Sequence, residues 1–251
     1  MKFTFIGTGT AAPISSLRPS SIYFEFEDLK GLLDLGAGAV HGMAGYGIDP
    51  MHVSNVFFSH YHSDHVSDLI MLLHSNNATP GKVRHGTLNL YGPPGLQKLA
   101  DTITGLFPET VPEEYEMNIQ EENSEKAVIA DGVTVRCFPT GHTSNSIAHR
   151  FAYRNKFFVY TGDCAFSSGL CGFCEGTDAL ITECSYADDR RTEDHLCVQE
   201  TARLAEKAGA KKLIIVHRYP DTAAENIIPE IKEIYTGLVY IPSEGETLLF
   251  G

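Results

Sequence analysis

The chain has 251 residues, 43% of them hydrophobic, and carries a formal net charge of −13. Its length can bury one large core, and no linker-like stretch marks a boundary, so one domain over residues 1–251 is expected. The acidic balance argues against a basic face for a polyanion, and without a leader segment or any apolar run near ~20 residues a cytoplasmic chain with no membrane span is expected.

The first strand is predicted at residues 2–6, where Phe3 and Phe5 alternate with Thr4. Gly7-Thr8-Gly9-Thr10 follows. It lacks the third glycine of a dinucleotide fingerprint, and Pro13 and Pro19 interrupt any helix after it, so a tight turn bordering the site is the better account. Strands near 21–27, 31–34 and 55–58 come next. The last of these runs into His60-Tyr61-His62-Ser63-Asp64-His65, which places four candidate metal ligands within six residues. Neutral imidazoles and carboxylates are the ligands that zinc and similar ions take. An extended backbone sends His60 and His62 to one side. Asp64 and His65 then turn toward a second point, and so short a stretch suggests two ions rather than one.

A helix is predicted over 65–74, a strand over 87–91 and a helix over 94–106. Strands at 127–130 and 133–138 follow, the second leading into Gly141-His142. Strands at 147–153 and 156–161 lead into Gly162-Asp163, and a strand at 179–182 leads into Glu183. A helix over 195–209 opens at His195, the strand at 212–216 ends on His217, and a helix over 222–235 precedes strands at 238–241 and 246–250. Strands interspersed with helices in this way fit two sheets face to face with helices outside, an α/β four-layer αββα sandwich. The candidate ligands all stand at strand ends, where layered α/β folds build their sites.

Six cysteines remain. Cys171-Gly172-Phe173-Cys174 has the spacing of redox pairs and of half a zinc ribbon. There is no second such pair and no thioredoxin-like frame, so reduced, half-buried thiols are expected, with an accessory zinc or a disulfide as the lesser alternative. Cys164, next to Asp163, reads as a packing residue.

The order His-x-His-x-Asp-His, then His, Asp and His, resembles the metallo-β-lactamase superfamily. The nearest likeness is its ribonuclease Z-like branch, which includes small phosphodiesterases and some esterases and sulfatases. The likeness runs nearly end to end, through Gly7-Thr8-Gly9-Thr10-Ala11-Ala12-Pro13, Leu33-Asp34-Leu35-Gly36, Tyr91-Gly92-Pro93-Pro94-Gly95 and Val216-His217-Arg218-Tyr219. It implies the same αββα sandwich and two divalent metal ions, zinc first, with manganese or iron as alternatives. It assigns His60, His62 and His142 to one ion, Asp64, His65 and His217 to the other, and Asp163 to both. Asp64 would also orient the nucleophile, and Asp34 would support a ligand histidine. Glu183 and His195 would pair near the leaving group, with His195 as general acid. The family segment commonly reads His-Glu-Ala-Thr, whereas this chain has Thr182-Glu183-Cys184-Ser185. Asp68 stands where many relatives have glycine, and is expected to narrow or charge the pocket mouth.

Function follows as a metal-dependent hydrolase, first a binuclear-zinc phosphodiesterase attacking a phosphodiester with metal-bound hydroxide. Ribonuclease Z carries a long tRNA-binding arm between the equivalents of His142 and Asp163. Here twenty residues intervene and read as two strands joined by Tyr153-Arg154-Asn155-Lys156, so a small phosphodiester ranks above tRNA. The alternatives are a ribonuclease Z-like tRNA 3′ endonuclease, or a carboxyl ester, sulfate ester or lactone hydrolase. An iron oxidoreductase and a non-catalytic binding protein rank lower, since none of the seven ligands is lost. His149, Arg18, Arg218 and Tyr219 are candidate substrate contacts. A homodimer is expected, with the apolar segment Leu69 to Leu73 near its interface.

Overall fold

The computed structural model describes residues 1–123 and 128–250. Its first half contains β1 (Lys2–Gly7), β2 (Ser21–Phe26), β3 (Leu29–Leu33), α1 (Ala39–Gly45), β4 (Asn55–Phe57), α2 (Ser63–Val66), α3 (Leu69–Ala78), β5 (Thr87–Gly92), α4 (Leu96–Leu106) and β6 (Glu116–Glu121). The second half contains β7 (Val128–Ala130), β8 (Val133–Pro139), β9 (Ile147–Tyr153), β10 (Lys156–Tyr160), α5 (Ser168–Phe173), β11 (Ala179–Glu183), α6 (Val198–Lys207), β12 (Lys212–Val216), α7 (Ala224–Ile234), β13 (Leu238–Tyr240) and β14 (Thr247–Leu249). Among the described residues the strands form two sheets, ordered β14-β1-β2-β3-β4-β5-β6 and β13-β12-β11-β10-β9-β8-β7. The C-terminal strand thus closes back on the first: Met1 and Phe250 exchange backbone hydrogen bonds of 2.8 Å.

Side-chain alternation builds the layers. Phe3 and Phe5 of β1, Phe24 of β2, Phe158 and Tyr160 of β10, and Ile214 and Val216 of β12 fill the space between the sheets. Their neighbours Ile6, Val159, Leu213 and Ile215 face outward under helices. Strands with apolar residues on both faces, as in β12, belong to the parallel part of a covered sheet. α5, α6 and α7 cover the second sheet, and α1, α3 and α4 the first. The four-layer αββα sandwich is therefore the observed architecture.

Several local expectations change. The helix predicted over 65–74 is two helices, α2 and α3, broken at Ser67-Asp68. Asp68 is the reason: its backbone N–H donates to Leu35 O, and its Oδ2 accepts from the Val40 N–H at the start of α1 at 2.6 Å. It is buried, so it ties two helices to the turn after β3 and does not charge a pocket mouth. Leu69, Leu72 and Leu73 are fully buried in the chain's own core, which leaves Ile70 and Met71 as the apolar side chains that reach solvent from that segment. α6 begins at Val198 behind Cys197, so His195 precedes the helix and does not cap it. The polar edge strand β6, the short helix α1 and the glycine-containing helix α5 were not predicted. Residue 127 of the strand predicted over 127–130 lies outside the described residues.

Phe158 sits among Phe3, Phe24, Phe26 and Phe151, at ring-centroid distances of 5.0, 5.5, 5.4 and 4.5 Å. Phe158→Ala should lower the unfolding free energy by about 3–5 kcal/mol, the range for an aromatic removed from a packed core, measured by denaturant titration.

Candidate metal centre

The ends of β3, β4, β8, β10, β11 and β12 converge on one cluster and deliver Asp34, the His60 segment, His142, Asp163, Glu183 and His217. Within their sheets β3 and β4 run parallel, as do β10, β11 and β12, so these are carboxyl ends. Close backbone approach makes the convergence work. A Cβ on Gly162, just before Asp163, would lie 2.3 Å from the Ser59 Cβ, just before His60. A Cβ on Gly36 would lie 2.3 Å from the Asp64 carbonyl oxygen. Both positions thus require glycine. The turn after β1 joins the same edge, where the His217 N–H donates to Thr8 O at 2.8 Å.

The side-chain donors gather into two groups that share Asp163. His142 Nε2 lies 3.0 Å from His62 Nδ1 and 3.7 Å from Asp163 Oδ2, and His60 Nε2 lies 3.8 Å from the same oxygen. On the other side, His65 Nε2 lies 3.4 Å from Asp163 Oδ1 and 3.7 Å from Asp64 Oδ2. His217 Nε2 lies 3.4 Å from Asp64 Oδ2 and 3.4 Å from Asp163 Oδ2. Ligands about 2.0–2.1 Å from a tetrahedral ion stand roughly 3.3 Å apart, so these separations have the size of coordination edges. His60 Nε2, His65 Nε2 and Asp163 Oδ1 are buried and lack any hydrogen-bond partner. Unpartnered buried polar atoms are costly, and three converging on one spot fit cations as their missing partners.

Four of the five candidate ligand histidines are aimed through their second nitrogen. Nδ1 of His65 donates to Asp34 Oδ2 at 2.7 Å. Nδ1 of His142 donates to the Asp194 carbonyl at 3.0 Å. Nδ1 of His60 stands 3.0 Å from Ser59 Oγ, and Nδ1 of His217 stands 3.1 Å from Ser185 Oγ. Both serine hydroxyls donate elsewhere, to Asp34 Oδ2 and to the His217 carbonyl, so both accept from the imidazoles. This leaves Nε2 of His60, His65, His142 and His217 free to take a cation. Asp34, fully buried with φ 55°, also accepts from the Ser59 N–H at 2.7 Å and the Tyr160 hydroxyl at 2.6 Å.

The electrostatics are those of a site short of positive charge. Burial opposes ionisation of Asp163, yet His217, His65 and His60 hold its carboxyl well below the usual range. Asp64, also against burial, is held at about 2 by His217 and His65. Burial and the neighbouring His65 press His60 down to about 3, so it is neutral at ordinary pH, as a ligand must be. His65 is the exception. Burial lowers its pKa, but Asp163 and Asp34 together raise it well above the usual range, so a cation taking Nε2 would displace a proton.

Glu183 and His195 stand beside the donors. Nδ1 of His195 lies 3.0 and 3.1 Å from the two Glu183 oxygens, and Glu183 Oε1 also accepts from the Cys164 N–H at 2.8 Å. Burial lowers the His195 pKa, but Glu183, through its hydrogen bond and its charge, raises it to about 9. Nothing local marks Ser59, Ser185 or Tyr160 as supports in the sequence, because a serine or tyrosine at a strand end looks like any core residue. Of the four candidate substrate contacts, Tyr219 stacks on Tyr186 at 5.0 Å, and the Tyr186 ring meets His195 edge-on at 5.7 Å. Arg18 is committed to Glu244 at 2.6 Å, and Arg218 donates to the Thr222 carbonyl. His149 is fully buried between the sheets with Nε2 2.6 Å from Glu122, so it is not a contact. All six cysteines are free and buried, and among the described residues none joins a group able to hold a metal.

A family model described as a beta-lactamase superfamily domain matches residues 40–218. The "Probable metallo-hydrolase YhfI" of Bacillus subtilis is 28% identical over 98% of both chains. The crystal structure of that metallo-β-lactamase fold protein superposes with a TM-score of 0.82 at 26% identity, again over 98% of each chain. A "Ribonuclease Z" of Halorubrum lacusprofundi is 27% identical over 99% of this chain and 96% of its own. Human tRNase Z, short form, shares the fold with a TM-score of 0.81 at 20% identity, over 99% of each chain.

In metal-free protein, NMR should show His195 titrating near pH 9, and Glu183→Gln should bring it back toward its ordinary ~6.5. The pair's contribution to stability is fully present below pH ~6.5 and is lost as pH rises through about 9, because the folded-state pKa is the raised one. A His195 titration unmoved by Glu183→Gln would contradict the assigned cause.

Proposed function

The chain belongs to the metallo-β-lactamase superfamily of metal-dependent hydrolases, and we propose that it is a binuclear phosphodiesterase acting on a small phosphodiester. One observation carries this reading: Asp163 places its carboxylate within 3.4–3.8 Å of donors from both groups, with Oδ1 unpartnered. His60, His62 and His142 would hold one ion, Asp64, His65 and His217 the other, and Asp163 would touch both. Zinc suits this set of imidazoles and carboxylates, with manganese or iron as alternatives. When bound, such ions would lower the pKa of a coordinated water and offset the charge of phosphoryl oxygens.

The chain's own residues account for the rest. Asp64 stands at the centre with one oxygen toward His65 and His217, and can orient the attacking water. Glu183 fixes His195 with a proton on Nδ1, so that His195 gives its Nε2 proton to the departing alkoxide and stays in the right tautomer. Tyr186 and Tyr219 wall the His195 side and favour a substrate with a planar or apolar group.

The span between His142 and Asp163 bears on substrate size. Those residues form the β9–β10 hairpin, closed by a turn at 154–155. The curated relatives named ribonuclease Z keep tRNA 3′ processing as the second reading, against which the net charge of −13 weighs. Among the described residues no helix is long and apolar enough to cross a membrane.

The test is a hydrolysis panel of alkyl and nitrophenyl phosphodiesters, phosphomonoesters, sulfate esters, thioesters and lactones on metal-loaded enzyme. His195→Ala should keep its metals yet lose ~10²–10⁴-fold in kcat on an alkyl diester, and markedly less on a nitrophenyl diester, whose leaving group needs no acid. Equal losses on both would remove His195 from the chemistry. Turnover of esters or lactones without any diester would replace the phosphodiesterase reading.

A further inference from the structure

The outer face of the second sheet carries a feature that the metal centre does not use. Arg136 and Arg150 are direct cross-strand partners on β8 and β9. They alternate with Val135, Cys137 and Phe151, which face the interior, so both arginines project outward. Arg154, with φ 55°, extends the pair at the hairpin turn. Together with Thr134, Phe138 and Phe173 they line a groove of about 580 Å³.

Like charges placed directly opposite on a sheet destabilise it. Among the described residues none of the three arginines forms an ion pair; the arginines that do are Arg18, Arg190 and Arg191. Arg150 is nonetheless held in place. Its guanidinium lies 3.8 Å from the centre of the Phe157 ring, and Nη1 donates to the Phe173 carbonyl at 3.0 Å. Burial, with a smaller push from Arg136, takes the Arg150 pKa below its usual range, against the opposing pull of Cys174 and the nearby Glu175 carboxylate. An anion between these two guanidinium groups would relieve both the repulsion and the desolvation. Phe138 and Phe173, stacked at 5.3 Å, add an aromatic wall.

We propose that this groove binds a small phosphorylated ligand of nucleotide size, through Arg136, Arg150 and Arg154, at a site separate from the metal centre. The arginine fork matches phosphate oxygens in pairs, which a lysine cannot do. The volume falls within the ~300–1,000 Å³ of small-molecule sites. The net charge of −13 selects a small ligand over a polymer. At physiological salt, charges are screened over about 8 Å, so a compact phosphate meets only the local arginines, whereas a nucleic-acid strand would also cross the acidic remainder. The proposal does not depend on the reaction at the metals, because none of its residues supplies a donor there.

The test is calorimetric titration of metal-loaded protein with AMP, inorganic phosphate and a ten-nucleotide single-stranded RNA, comparing the wild type with Arg136→Ala and Arg136→Lys. Any phosphate taken by the metal centre binds all three proteins equally, so the difference between them reports the groove. The wild type should bind one more AMP than Arg136→Ala does, or bind it at least about tenfold more tightly, with inorganic phosphate competing. Arg136→Lys, which keeps the charge without the fork, should fall between. Metal content and hydrolytic turnover should match across the three, since Arg136 is an exposed residue outside the centre. Superimposable AMP isotherms for wild type and Arg136→Ala would overturn the proposal. Loss of RNA binding alone would overturn it too, by making the face a strand-binding surface.

Discussion

Four carboxylates, those of Asp34, Asp64, Asp163 and Glu183, are gathered at the strand ends with six imidazoles, and among the described residues no lysine or arginine pairs with any of them. Charge held out of water without a partner is among the most costly arrangements a fold can contain. In the metal-free protein the imbalance falls on the histidines, which is why His65 and His195 hold protons tightly while crowded, buried His60 cannot. Cations would supply what is missing, and the proposed reaction would draw on the same imbalance.

The arrangement depends on both sheets. Asp34, at the end of β3, is bonded to Ser59 and His65 after β4 and to Tyr160 at the end of β10. Ser59 approaches Gly162 so closely that no side chain fits there. Loosening the aromatic core between the sheets would therefore displace the two donor groups relative to each other before it unfolded either one. Fold stability and donor geometry are coupled through a few short hydrogen bonds, and Asp34 makes four of them.

How much of this the sequence shows follows from where the physics is local. Alternation of Phe3 with Phe5, or the unbroken Leu213-Ile214-Ile215-Val216, reports burial directly, so the strands, the sandwich and the strand-end donors were legible. Glu116–Glu121 was not, because this edge strand is only partly buried and Met117 and Ile119 are too short an apolar alternation among polar residues to stand out. The role of Asp68 was hidden for another reason: its partner Val40 is 28 positions away and offers only a backbone N–H, which every residue has. His195 looked like the first residue of a helix because the apolar repeat begins at Leu196, whereas the backbone becomes helical only after Cys197. The contacts of Ser59 with Asp34, of Ser185 with His217 and of the Asp194 carbonyl with His142 likewise exist only once distant segments meet.

The central claim is that one carboxylate, Asp163, serves two ions. The most direct measurement is metal binding to chelator-stripped protein, by calorimetric zinc titration with elemental analysis of the product, for the wild type and Asp163→Ala. About two equivalents are expected for the wild type, with binding of both weakened in Asp163→Ala, since that side chain faces both donor groups. Saturation of the wild type at one equivalent, or an Asp163→Ala protein that loses a single ion and keeps the other at unchanged affinity, would contradict it.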